Sequence, residues 1–222
     1  MSKDFYYNGI HYSSSCGKTN IINNEGVKNM SFAMFLQKNE EIYIISDSRS
    51  TTTYNNGTKI YTDNCQKIVR VPNTDVFIVS TGINIFGNKN LVDIVSELTC
   101  TNFFDICEEF KDKMYFFRDS ISYYIIGIYD KNHMFCFNGE HYTKLSTKNE
   151  YAFWGTIGES WATTVAKNFN FINKETALKF FEFLYQSDCF FNNTIGGPIQ
   201  MVRITPEKAE WVEGYKPDFI KD

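Results

Sequence analysis

The chain has 222 residues and a formal charge of −4, with 26 acidic residues against 22 basic ones. That length suits one domain whose core needs no disulfide or metal staple. Acids and bases are mixed without a basic stripe, which speaks against nucleic acid as a partner. No apolar run approaches the ~20 residues of a membrane-spanning helix. The opening MSKDFYYNGIHYSSSC has no apolar core of a signal peptide, so a cytoplasmic location is expected.

The six cysteines stand at 16, 65, 100, 107, 136 and 189. None forms a CxxC pair, so unpaired thiols are expected, with no metal site and no cofactor. Residues 1–30 are polar and rich in Ser, Asn and Gly, with neither helical nor strand period. They read as a disordered arm, a pro-segment or a mis-called extension ahead of a domain spanning 31–222. The phrase Ser15-Cys16-Gly17-Lys18-Thr19 resembles the end of a phosphate-binding loop, but the motif's first glycine and a preceding strand are missing.

The pattern sharpens at Ser31. Ser31–Gln37 and Ile42–Ser46 read as two apolar strands joined by the polar turn Lys38-Asn39-Glu40-Glu41, and the second ends on Asp47-Ser48-Arg49. Asn55-Asn56-Gly57 is a strong signal for a turn between two strands. Lys67–Val71 is a strand, Pro72–Asp75 a turn, and Val76–Ser80 a continuous apolar strand of the kind covered on both faces. Asn88 is expected to cap a helix with Leu91, Ile94, Val95 and Leu98 on its apolar face. A second helix is expected from about Asn102 to Phe117. Strands return at Ile121–Tyr129, His133–Phe137, Tyr142–Ser146 and 152–155. Helices follow at Glu159–Phe169 and after Asn173. The last strands are Ile199–Ile204 and Glu210–Val212. Strands, two helices, strands, two helices, strands predict an α+β fold, a four-layer α/β/β/α sandwich of two mainly antiparallel sheets.

Several joints of this order carry a resemblance. Asp47-Ser48-Arg49 closes the first hairpin, Gln66-Lys67-Ile68 opens the third strand, and Ser80-Thr81-Gly82 precedes the first helix. Gly155-Thr156-Ile157-Gly158 precedes the third helix. Ile195-Gly196-Gly197-Pro198-Ile199 leads to the penultimate strand, followed by Ile204-Thr205-Pro206. Over roughly residues 31–213 the chain resembles the proteasome β-subunit-like family of N-terminal-nucleophile hydrolases, including the bacterial two-component ATP-dependent peptidase. The resemblance implies a peptidase whose first residue supplies both a hydroxyl nucleophile and an α-amine base. A hydroxyl needs such a base near neutral pH, and a free α-amine, with a reference pKa of roughly 8, is close to useful. Carried over, Ser31 takes the nucleophile's place, and Asp47 and Lys67 form its charged pair. Gly82 provides the oxyanion N–H. Arg49 matches the hairpin end, and Thr156 or Gly158 falls where the family has a supporting serine. The resemblance also implies a homo-oligomeric ring, a peptide or unfolded-protein substrate and a separate ATPase partner.

The chain departs from the family near Gly196-Gly197, where Asn192 and Ile195 stand in place of an aspartate and a serine. Met30 stands in place of the usual glycine. A non-catalytic structural or binding subunit is therefore the alternative reading, and Cys16 as nucleophile a third. Codons for Glu25-Gly26-Val27 can write a ribosome-binding sequence just ahead of a Met30 start, which would expose Ser31 once the methionine is removed.

Overall fold

The computed structural model describes residues 3–7, 10–15, 18–22, 32–38, 40–53, 56–82, 85–86, 88–119, 121–130, 133–145, 150–155, 174–191 and 195–220. Strands β1 (Lys3–Tyr7), β2 (Ile10–Ser15) and β3 (Lys18–Ile22) pair antiparallel in chain order. The segment expected as a patternless arm thus carries regular backbone pairing.

The organising hairpin forms nearly as expected. β4 (Phe32–Lys38) and β5 (Glu41–Ser46) pair from Ala33–Ser46 to Lys38–Glu41, so the loop is shorter than the predicted four residues. A ribbon, β6 (Ser50–Thr53) and β7 (Lys59–Thr62), follows. Its turn is braced where the Thr58 amide donates to Asn56 Oδ1 at 3.0 Å. Next come β8 (Ile68–Arg70), β9 (Val76–Gly82), the short pair β10 (Ile85–Phe86) and β11 (Lys89–Asn90), and α1 (Leu91–Ser96). The cap of α1 is Asn90, not Asn88: Lys89 and Asn90 are held in the β10–β11 pair, which delays the helix. Asn90 and Asp93 form a reciprocal capping box. Asn102 caps α2 (Phe103–Met114), whose last predicted turn is instead a 3₁₀ turn at Tyr115–Phe117.

Strands β12 (Ile121–Asp130), β13 (His133–Phe137), β14 (Tyr142–Lys144) and β15 (Glu150–Gly155) follow. The helix expected at 159–169 lies outside the described residues. Helix α3 (Lys174–Phe191), β16 (Gln200–Ile204) and β17 (Ala209–Trp211) complete the chain. Two five-stranded antiparallel sheets result, in the orders β15-β4-β5-β16-β17 and β14-β13-β12-β9-β8. The molecule is therefore α+β with mainly antiparallel sheets. Among the described residues no helix is long and apolar enough to cross a membrane.

Period-2 alternation divides the buried side chains into three cores. Ala33, Phe35, Ile42 and Ile44 of the first sheet meet Ile68, Phe77, Val79 and Ile126 of the second. The opposite face of the first sheet, with Phe32, Met34, Leu36, Ile45 and Met201, packs on Ala177, Phe180 and Phe181 of α3. The opposite face of the second, with Val69, Ile78, Ile121 and Ile125, packs on Leu91 and Val95 of α1 and Ile106 and Phe110 of α2.

Phe77 is fully buried between the sheets and meets Trp211 edge-on, ring centroids 5.7 Å apart. Phe77→Ala is expected to lower unfolding stability by about 3–5 kcal/mol, through lost burial plus a residual cavity. Urea denaturation measures this, and a loss below about 1 kcal/mol would contradict the packing described.

Candidate active site

Asp47 sits one residue past β5, where the ladder stops, and its side chain is completely buried. Its carboxylate gathers four donors. Oδ1 accepts from Lys67 Nζ at 2.5 Å and from the Phe32 amide at 3.1 Å. Oδ2 accepts from the Arg49 amide at 3.1 Å and the Gly196 amide at 3.2 Å. Burial holds the Asp47 carboxyl above its ordinary value, opposed by the Lys67 charge and hydrogen bond and by the Phe32 and Gly196 amides. With donors on every side and no acceptor among these contacts, the group is held as a carboxylate.

Lys67 precedes β8 and is also buried. Its carbonyl accepts from the Ser80 amide of β9 at 3.0 Å. Its amide donates to Gln200 Oε1 at 3.1 Å. Its ammonium has three hydrogens, and among the described residues it spends one, on Asp47.

Two of the predicted residues are thus brought together, and they lie beside the start of β4. The amide that shares Asp47 Oδ1 with Lys67 belongs to Phe32, the residue after Ser31. Ser31, Thr156 and Gly158 lie outside the described residues. Phe32 pairs with Gly155, so Ser31 and Thr156 are the chain neighbours of two paired residues. Gly82 ends β9 with φ +97°, a conformation that side chains other than glycine's rarely adopt. It stands two residues beyond Ser80, roughly 6.6 Å along the strand.

Arg49 does not touch the charged pair through its side chain. Its guanidinium clamps Asp63 with two bonds of 2.6 and 2.7 Å and lies over the Tyr61 ring, closing the base of the β6–β7 ribbon. Gly196 makes room for that clamp: a Cβ there would stand 2.6 Å from Arg49 Nε. Cys65 is buried, and its thiol is pushed up to about 11, which leaves it unreactive. Ile195 is buried against Phe32 and α3 rather than facing a polar site.

Sequence reasoning missed Gln200, Ser48 and Asp63. Gln200 did leave a signal, a lone amide within the apolar run Ile199–Val202. A cleft of about 390 Å³ opens beside this region, lined in part by Ser50, Thr52, Thr62, Gln66 and Asp93. Among the described residues no group of His, Cys, Asp and Glu could hold a metal ion. Compared with known proteins, the chain matches no family model and no curated protein.

Lys67→Met would leave the Asp47 carboxylate buried without a counter-charge and is expected to cost about 3–5 kcal/mol in a urea melt; a cost under about 1 kcal/mol would show that the pair is not insulated from solvent. A second prediction concerns acid. The Arg49 hydrogen bonds hold Asp63 below its ordinary value against an opposing effect of burial. Such a carboxyl stabilises the fold above its unfolded value of about 3.9, and the contribution fades as pH falls through the lower folded value. The stability difference between wild type and Asp63→Asn should be under about 1 kcal/mol at pH 6, since the carboxyl is partly exposed, and should vanish toward pH 2. An equal difference at both pH values refutes the assignment.

Proposed function

We propose that the chain is a proteasome-like peptidase in which Ser31, once it carries a free α-amine, is the nucleophile. The observation that carries this reading is the buried Lys67 ammonium, set on Asp47 together with the amide of the residue after Ser31. A cation so placed lowers the proton affinity of a nearby amine, which brings a terminal amine into range as a general base. The amine takes the Ser31 hydroxyl proton as the oxygen attacks the scissile carbonyl, and then returns it to the leaving amine. Gly82, at the end of β9, is the candidate N–H donor to the developing oxyanion.

The three cores support an α/β/β/α layer order, with α3 outside one sheet and α1 and α2 outside the other. A homo-oligomeric ring, an unfolded-protein substrate and a separate ATPase follow from the resemblance and belong to the same proposal. A second reading, a non-catalytic subunit of the same fold, is favoured by Ile195: where the family has a site serine, this chain buries an isoleucine in its core.

A peptide epoxyketone separates the two, because its ketone takes the hydroxyl and its epoxide the amine of one terminal residue. The natively expressed protein, whose first residue is established by intact mass, is expected to gain one probe equivalent, and Ser31→Ala to gain none. A chain shown to begin at Ser31 that stays unlabelled overturns the peptidase reading.

A further inference from the structure

We propose that Gln200 is a positioning residue for Lys67: its carboxamide holds the loop before β8 so that the lysine ammonium lands on Asp47. The proposal rests on the reading of Lys67 as part of the reactive site, and it concerns a residue that no motif pointed to.

Gln200 opens β16 in the first sheet, fully buried. Its side chain reaches across to the second sheet. Oε1 accepts from two successive amides, Lys67 at 3.1 Å and Ile68 at 3.2 Å. Nε2 donates to Ser48 Oγ and to the Cys65 carbonyl, both at 2.8 Å, with the Asp47 carbonyl at 3.3 Å. Both acceptor sites and both hydrogens of the amide are therefore engaged.

Residues 64–67 belong to no strand, and besides the Cys65 amide, which donates to the Ser48 carbonyl at 3.0 Å, it is Gln200 that holds them. Among the described residues the Lys67 amide donates to the Gln200 oxygen, and its carbonyl accepts from the Ser80 amide. A shift of the loop by about 1 Å would take the Nζ–Oδ1 contact beyond hydrogen-bond range.

Two replacements test the contact, one removing part of it and one removing all of it. Gln200→Glu keeps an acceptor for the two amides but turns an oxygen toward the Cys65 and Asp47 carbonyls and adds an anion beside Lys67. Gln200→Met keeps the volume and removes every hydrogen bond. The full chain is labelled with ¹⁵N-lysine, and solvent exchange of the Lys67 ammonium protons is read by NMR, with Lys67→Arg assigning the signal. Exchange should accelerate about tenfold or more in both variants as the pair opens more often, while the backbone amides of the β9–β12 ladder stay protected. Unchanged Lys67 exchange in a variant with an intact ladder overturns the proposal. Should both variants lose ladder protection, Ser48→Ala decides: it frees one carboxamide hydrogen without touching Lys67, and faster exchange supports the proposal while unchanged exchange refutes it. The pH profile of epoxyketone labelling at Ser31 should move in the same variants. Faster Lys67 exchange in a wild-type background that never labels leaves Gln200 as the positioning residue and removes the peptidase reading alone.

Discussion

A lysine ammonium and an aspartate carboxylate, both shut away from water, set the terms for the rest of this fold. Moving two such ions out of solvent costs several kcal/mol each, and their attraction recovers that only where further donors complete the carboxylate. Here three backbone amides do so, from Phe32, Arg49 and Gly196. They come from the first strand of the hairpin, the turn that follows it, and the approach to β16. Lys67 itself comes from the edge of the other sheet. The pair therefore exists only when both sheets hold their relative register, and a slip of one residue at any of these positions leaves a buried charge uncompensated.

That requirement explains features that look unrelated along the chain. Gly196 has to bring its amide to Asp47 while the Arg49 side chain fills the space where a Cβ would sit. Arg49 in turn ties the β6–β7 ribbon to the same turn through Asp63. Ser48 bonds Pro198, and its amide meets the Gly196 carbonyl, so the Asp-Ser-Arg turn and the Gly-Gly-Pro turn are laced together at backbone and side chain alike. Such a laced, low-dielectric pocket makes each remaining donor count for more than it would in water.

The legible parts of the sequence were those governed by local pattern. The apolar runs of 32–36 and 42–45 placed the hairpin to within a residue, and the helical spacing of Phe104, Cys107 and Phe110 placed α2 from about Asn102. Asp47 and Lys67 were legible only because several short motifs occurred in a known order; neither residue alone carries a signal of its partner, since they meet across twenty positions. Asn90 outranked Asn88 because Lys89 and Asn90 belong to a two-residue strand pair, too short to show a period, that delays the helix. The pairing of β1 to β3 was not read because backbone hydrogen bonds form a ladder whatever the side chains. Gln200 was passed over because its work is done on backbone groups far away in sequence, which no spacing rule encodes.

One covalent bond determines what the Lys67–Asp47 pair can do. A cation beside a terminal amine lowers that amine's hold on its proton and makes it a competent base. The same cation beside an amide nitrogen changes nothing of the kind, because an amide has no basic lone pair to tune; the pair then serves only to lock the start of β4 to both sheets. The backbone donors around Asp47 come from Phe32, Arg49 and Gly196, none of which depends on residue 30 being attached. On the proposed peptidase reading, competence would therefore turn on the Met30–Ser31 bond, while the Lys67–Asp47 pair is organised by Phe32, Arg49 and Gly196 without reference to it.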